Sequence, residues 1–298
     1  MNSPGRIAVL ILTVDQREKT LQCLSSLARI RRPAFDVIVW DNGSRDGTRE
    51  AVRAAYPDVQ VHHSETNLGV AGGRNAAAAL AIQQLRPEYL LFLDNDMLLE
   101  PAFVEALARP FQQDPELGQT QAKLRFMHDR ERLNDGGGCR ITFWLWRTMP
   151  VGYGEIDRGQ YDEERSCVAC GGAMMVKTDV FQELGGFDTV YGLTGPEDLD
   201  FSLRLQKAGY RALYVPGAVA YHEANHTFGK NYEEKYAQLK ARNWLIFMRR
   251  HASLGQQAAF YVAGAPYLAL SVLIREIRRG NFGALRGLFR GALDSWKS

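Results

Sequence analysis

The stretch Tyr89-Leu-Leu-Phe-Leu-Asp-Asn-Asp96 is an apolar run that stops on two carboxylates. It is continuously apolar rather than alternating, the pattern of a strand buried on both faces of a parallel sheet. Three further runs precede it, at Ile7–Val14, Val37–Trp40 and Val59–His62, each bounded by turn residues. Between them lie helical stretches at Arg17–Ile30, Thr48–Tyr56 and Gly72–Leu85, the last rich in alanine. Strand and helix in alternation predict an α/β fold, with a mostly parallel central sheet and helices on both faces.

Composition agrees with a globular chain: 298 residues, 46% hydrophobic and 23% charged, which excludes disordered, collagen-like and coiled-coil classes. The net charge of +2 sets up no global field for nucleic acid. That sum hides an asymmetry, because residues 240–298 carry ten Lys and Arg against two acids, leaving a net −6 for residues 1–239. The four cysteines do not make a disulfide framework. Cys167-Val-Ala-Cys170 lacks the second pair that a tetrahedral zinc site needs, so buried, reduced thiols are expected. Ile7–Val14 follows Arg6 but has no small-residue cleavage site after it, and Asp15-Gln-Arg-Glu-Lys19 runs on into a helix. A strand, and a cytoplasmic protein, are expected.

Downstream, Pro101 sits at a first helical position and the helix runs to about Gln112. Residues 124–166 show no clean period and predict loops and short strands, including Gly136-Gly-Gly138 and the aromatics Phe143, Trp144, Trp146 and Tyr153. A strand is expected at Cys167–Val176, a short helix at Asp179–Leu184, a second helix from about Pro196 to Ala208, and a strand at Ala212–Tyr221. From residue 232 the pattern is helical to the end. Ala252–Ile274 is uncharged for 23 residues, long enough to span a bilayer, but contains Gln256, Gln257, Gly264 and Pro266. Arg275–Arg290 mixes arginines with Phe282, Leu285, Leu288 and Phe289, like a basic amphipathic helix. Three fates stay open for this tail: an anionic membrane surface, packing within the molecule or in a homodimer, or a true span.

Candidate chemistry gathers at the strand ends. Asp94 and Asp96 offer two hard oxygen ligands beyond the carboxyl end of a strand, where ligands of parallel sheets bind. They suit Mg²⁺ or Mn²⁺ held together with a bound diphosphate. Thr13 and Asp15 follow the first strand, and Asp41-Asn-Gly-Ser-Arg-Asp-Gly47 follows the second, where an acidic residue commonly meets a ribose or base. The Gly-rich stretch Asn67-Leu-Gly-Val-Ala-Gly-Gly-Arg-Asn75 is expected to offer amides and Arg74 to a diphosphate. It is not the G-x-G-x-x-G of a dinucleotide fold.

Taken in order, these pieces resemble the family 2 glycosyltransferases, inverting enzymes of the GT-A fold. The matching stretches are Ile11–Asp15, Trp40–Thr48, Asn67–Asn75, Leu91–Asp96, Gly171–Met175, Gly185–Asp188, Glu197–Asp200 with Arg204, and Val215–His222. The resemblance covers about residues 6–225 and implies a glycosyltransferase domain over 1–231, with a nucleotide-binding half, 1–100, and an acceptor half, 101–231. A helical, basic extension over 232–298 follows. It implies that Thr13, Asp15 and Asp41 hold the nucleotide base and ribose, and that Arg74 meets the base or diphosphate. Asp94 would reach the ribose or the metal, Asp96 and His222 would lie at the metal, and Asp198 would be the catalytic base. The helix start at Pro196 supports Asp198, since the macrodipole favours an ionised carboxylate there. Asp200 has Arg204 four residues on, a spacing that allows a helix-surface ion pair, so a structural role is expected for it. Glu197 is a candidate contact to the acceptor hydroxyl. Trp144 and Trp146 are candidate platforms for the acceptor sugar.

Two departures narrow the class. Gln238-Leu-Lys-Ala-Arg-Asn-Trp244 has the wrong spacing for the Q-x-x-R-W of processive polysaccharide synthases, and their several clear membrane helices are missing. Transfer of one or a few sugars is therefore expected, from a nucleotide-diphosphate sugar to a glycan or lipid-linked acceptor, at or near the inner face of the cell membrane. The loop Asn67–Asn75 and the region of Tyr161 and Cys167–Met175 look most like bacterial rhamnosyltransferase-type members. A sugar-phosphate nucleotidyltransferase would need a Gly-rich basic loop after the first strand, and Ile11–Lys19 has none. A binding or scaffolding member without turnover is the non-enzymatic rival.

Overall fold

A computed structural model describes residues 5–169, 172–223 and 233–297. The chain runs β1 (Ile7–Thr13), α1 (Arg17–Leu27), β2 (Phe35–Asp41), α2 (Thr48–Ala55), β3 (Gln60–His63), α3 (Gly69–Leu85) and β4 (Tyr89–Asp94). It continues through β5 (Met97–Leu99), α4 (Phe103–Ala108), β6 (Leu117–Phe126), β7 (Leu133–Asp135), β8 (Cys139–Thr142), β9 (Arg147–Pro150) and β10 (Arg165–Ser166). Then come β11 (Ala173–Lys177), α5 (Thr178–Glu183), α6 (Glu197–Lys207) and β12 (Arg211–His222). Four helices close the chain: α7 (Glu234–His251), α8 (Leu254–Ala259), α9 (Ala265–Arg278) and α10 (Phe282–Asp294).

The main sheet has the order β10-β12-β6-β11-β4-β1-β2-β3, with β5 beside β12 and β7 beside β6. β4, β1, β2 and β3 are mutually parallel; β11 enters antiparallel between β4 and β6. This is the expected α/β architecture, and one sheet runs from β10 to β3. The unbroken apolar runs have a direct cause. Ile7, Val9 and Ile11 of β1 face one core with Leu24, Phe103 and Leu107, while Ala8 and Leu10 face the other with Ala77, Phe181 and Phe201. Alternate side chains point to opposite faces, and both faces are covered.

Three expectations need correction. The ten-residue strand β6 was not expected, because Gln119, Thr120, Gln121 and Lys123 make it look polar, yet all four are buried. Two of them find partners inside: Thr120 Oγ1 donates to the Leu107 carbonyl at 3.1 Å, and Lys123 pairs with Asp157 at 3.0 Å and with Asp162. Second, among the described residues the strand expected at Cys167–Val176 begins at Ala173, and as β11 it runs one residue further, to Lys177. Cys167 is buried and its thiol is pushed up by burial; Cys170 lies outside the described residues. Third, α3 starts at Gly69, three residues before the expected Gly72, so most of the Gly-rich stretch is helix. Gly69 has φ +76°, and a Cβ there would stand 2.2 Å from the Gly192 carbonyl oxygen, so only glycine fits this entry.

The C-terminal helices are seated on the domain. Ile246 and Phe247 of α7 pack with Tyr191 and Leu199, and Asn243 Nδ2 donates to the Tyr191 carbonyl at 2.6 Å. α10 lies close on α7 through Gly287 and Gly291, where a Cβ would come within 2.1 Å of the carbonyl oxygens of Glu234 and Gln238.

Candidate active site

Strand register brings the polar ends together: Thr13 pairs with Asp41, Asp41 with His63, and Leu12 with Asp94. The four parallel strands therefore end on one edge of the sheet. There the Asp41 carboxylate accepts the Ser44 amide at 2.8 Å and meets His63 Nδ1 at 2.8 Å. Asp15, exposed and left-handed (φ 49°), accepts the Arg45 amide at 2.7 Å and donates its own amide to Ser44 Oγ at 2.9 Å. These bonds tie the loop after β1 to the loop after β2. Thr13 turns inward, with its hydroxyl 2.8 Å from Thr20 Oγ1 and 3.1 Å from Asn95 Nδ2. Its side chain thus anchors the middle of the Asp94–Asp96 turn. The amides of Leu68 and Gly69 are capped by the side-chain oxygens of Asn42 and Asn67, at 3.0 and 2.8 Å. Those two are met within the protein, contrary to the amides expected for a diphosphate.

Asp94 closes β4, and the turn that follows leads into β5, which pairs with β12 so that His222 stands opposite Met97. A turn, rather than continued extension, thus brings the two aspartates and the histidine together. One ligand atom from each of Asp94, Asp96 and His222 lies within 4.8 Å of the others. Asn134 Oδ1 lies 2.9 Å from His222 Nδ1; as an acceptor it places the proton on Nδ1 and leaves Nε2 toward Asp96, 3.4 Å away. Burial opposes charge on His222, but the nearby carboxylate of Asp96, then that of Asp94, outweigh it and raise its pKa. Asp96 Oδ1 is buried without a hydrogen-bond partner. Two carboxylates, one with an orphaned oxygen, and an oriented imidazole fit a hard divalent cation.

Arg74 connects this group to α6. Its Nη2 donates to Asp94 Oδ1 at 2.8 Å, its Nη1 lies 3.5 Å from Glu197 Oε1, and its guanidinium sits 5.6 Å from the Phe187 ring centre. Burial opposes its charge, but Asp94, Glu197 and Asp198 hold it protonated. Glu197 is buried, and burial, then the neighbouring Asp198 charge, push its carboxyl up to about 8 against the pull of Arg74. Asp198 is half-buried, and its Oδ1 accepts the Leu199 amide at 2.7 Å. Two adjacent carboxyls thus have different environments at the start of one helix. Gly172 packs on Asp94 so closely that a Cβ would stand 1.9 Å from Oδ2.

Asp200 is structural, as expected, but it is not at a helix surface. Only 1% exposed, it meets Arg204 Nε at 2.8 Å, His251 Nε2 at 2.8 Å and the Tyr191 hydroxyl at 3.0 Å. Burial would raise its pKa, but the bonds from His251 and Arg204 bring it down to about 2. The aromatic platform also divides. Trp146 packs edge-on against Phe260, ring centres 5.5 Å apart, as part of the seat of the C-terminal helices, whereas Trp144 is exposed. His63 and Asn134 were not among the expected site residues. His63 ends the third strand, and the strand-end rule that singled out Asp41 applies to it equally. Asn134 carries no comparable signal.

The sequence matches the model of the family described as "Glycosyltransferase like family 2" over residues 4–244. Among curated relatives, the N-acetylglucosaminyl-diphospho-decaprenol L-rhamnosyltransferase of Mycobacterium tuberculosis is 26% identical over 263 residues, spanning 83% of this chain and 85% of that protein. An uncharacterized glycosyltransferase of Haemophilus influenzae is 28% identical over 204 residues, covering 67% of this chain and 61% of its own. Among solved structures, GalNAc-T7 with UDP, GalNAc and Mn²⁺ aligns with TM-score 0.65 at 16% identity, over 84% of this chain and 48% of that one. The Pyrobaculum calidifontis mannosyltransferase PcManGT, in complex with GDP-Man and Mn²⁺, aligns with TM-score 0.58 at 17% identity, over 99% and 89%. The fold is that of the GT-A glycosyltransferases.

Proposed function

The chain belongs to glycosyltransferase family 2, and from that premise we propose that it is a metal-dependent inverting transferase. It would move a hexosyl or deoxyhexosyl group from a nucleotide-diphosphate sugar to an acceptor hydroxyl. The observation that carries this reading is Arg74, which joins the Asp94–Asp96–His222 group to the Glu197–Asp198 pair. A cation site and a candidate base are thereby held by one buried guanidinium.

Asp94, Asp96 and His222 would hold Mn²⁺ or Mg²⁺, which when bound supplies positive charge to the departing diphosphate. Asp41 and Asp15, with His63, line the nucleotide end of the sheet. Asp198 accepts the acceptor proton on its carboxylate, and the hydroxyl oxygen attacks the anomeric carbon opposite the leaving diphosphate. Burial and the Asp198 charge raise the Glu197 pKa, which favours a protonated carboxyl there that can donate a hydrogen bond. Arg74 adds a fixed positive charge on the leaving-group side. Trp144 is the exposed ring available to an acceptor sugar.

The mycobacterial relative, named for a decaprenol-linked acceptor, supports a lipid-linked acceptor here, and we place the transfer in cell-surface polysaccharide or glycolipid synthesis. The presence of Asp94, Asp96 and Asp198 favours turnover over a scaffolding role. The test incubates the full chain with a panel of nucleotide-diphosphate sugars and Mn²⁺, following nucleoside diphosphate release and the product's anomeric configuration by NMR. Release with inversion is expected. A product that keeps the donor configuration overturns the single in-line attack.

A further inference from the structure

Helices α9 and α10 leave large apolar side chains in water. On α9, Tyr267, Leu270, Ile274 and Ile277 are between 43% and 63% exposed. At 100° per residue they fall within about 80° of arc, while the buried Glu276 lies on the opposite side. On α10, Phe282, Phe289 and Leu293 are between 52% and 68% exposed and fall within about 40° of arc. Ala284, Gly287 and Gly291 are the buried residues of that helix and point the other way, onto α7. Each helix is therefore seated on one side and apolar on the other. Two amphipathic faces of this kind, left open on one body, mark an interaction surface.

Arginines flank the open faces. Arg278 follows the α9 stripe on its exposed side, and Arg286 and Arg290, 70% and 62% exposed, border the α10 stripe while sharing the one carboxylate of Glu234. They belong to the tail of net charge +8, against −6 for the rest of the chain. An apolar strip with an arginine margin complements a surface that is apolar within and anionic at its edge. The geometry points to α9 and α10 lying in the plane of an anionic phospholipid bilayer, apolar stripes in the acyl boundary and arginines at the phosphates.

Length alone would let Leu254–Arg278 cross a membrane. Its inner side is already engaged. Phe260 is buried against Trp146, Gly264 lies so close to the Trp144 carbonyl that a Cβ would come within 1.9 Å, and Glu276 is buried and paired with Arg275 at 2.6 Å. Crossing would strip the contacts to Trp144 and Trp146 and take Glu276 out of its buried setting. The in-plane position keeps all of them.

Cosedimentation of the full chain with vesicles reads these helices alone, independently of sugar transfer. Vesicles of phosphatidylcholine mixed with phosphatidylglycerol should bind the protein at low salt. Binding should fall by about tenfold or more with phosphatidylcholine alone, or in high salt. The combined variant Ile274→Ser, Ile277→Ser, Phe289→Ser should lower binding comparably while keeping the circular dichroism and melting temperature of the parent. Absence of binding to the anionic vesicles overturns the assignment. So does membrane association in expressing cells that resists both high salt and alkaline extraction, the mark of a span. A dimer that the triple variant dissociates, with vesicle binding unchanged, would assign the stripes to a second copy instead.

Discussion

His251 Nε2 lies 2.8 Å from Asp200 Oδ1, joining the last residue of α7 to the first half of α6. Asp200 also receives Arg204, whose guanidinium donates to the carbonyls of Leu184 and Gly186 at 2.7 Å each. The C-terminal extension is thereby a brace for the helix that carries Glu197 and Asp198. Asp200→Asn leaves a buried site with Arg204 and His251 short of a charge partner, and should cost about 3 kcal/mol. Urea unfolding midpoints check this; a loss below about 1 kcal/mol would return Asp200 to a surface-pair role.

The same carboxyl sets an acid limit. Its folded pKa, about 2, lies below its ordinary 3.8, so its contribution is fully present above 3.8 and disappears as pH falls through 2. The stability gap between parent and Asp200→Asn should therefore narrow from pH 4 down to about pH 2. Unfolding free energies across that interval measure it, and a constant gap would contradict the assignment.

Asp198→Asn keeps the shape of the side chain but removes proton acceptance. Turnover should drop by about 10²–10⁴-fold, with donor binding little changed. Steady-state kinetics with donor titration separates the two. A near-parental kcat in Asp198→Asn would exclude it as the base.

Asn134 orients His222, so Asn134→Ala should weaken Mn²⁺ binding by about 10–100-fold without removing a ligand. Asp96→Asn, which does remove one, should lose more. Mn²⁺ titration of the thermal shift given by a nucleoside diphosphate compares them. Unchanged Mn²⁺ affinity in Asn134→Ala would mean that His222 is not held by this bond.

Glu197 predicts a slope of the opposite sign to Asp200. Burial and the Asp198 charge raise its folded pKa from 4.5 to about 8, so the unfolded chain releases this proton first. Its contribution to stability should fall as pH rises from about 4.5 to about 8. Glu197→Gln should flatten the stability profile over that window. A parallel profile in the two proteins would show that Glu197 is ionised in the folded state.

Legibility in the sequence followed how local each signal is. The first four strands were readable because burial on both faces forces an apolar residue at every position, as in Tyr89–Leu93. Asp41, Asp94 and Asp96 stood out as polar residues where those runs stop. β6 was not readable, because what lets it bury polar side chains lies far along the chain, as Asp157 does for Lys123. The shift of α3 to Gly69 depends on Gly192, more than a hundred residues away in sequence.

By itself the sequence determined the α/β alternation, the strand ends where chemistry gathers, and the acidic start of α6, because side-chain period and helix-start chemistry act over a few residues. Tertiary structure alone decided what those groups touch. The β5–β12 pairing carries His222 to the aspartates, and Asn134, 88 residues earlier in the chain, turns its ring. α7 converts Asp200 from an expected surface charge into a buried junction, and Phe260 claims Trp146 for packing. Contacts between distant segments depend on topology and register, which no local pattern encodes, and burial then sets the charge state of each group they enclose.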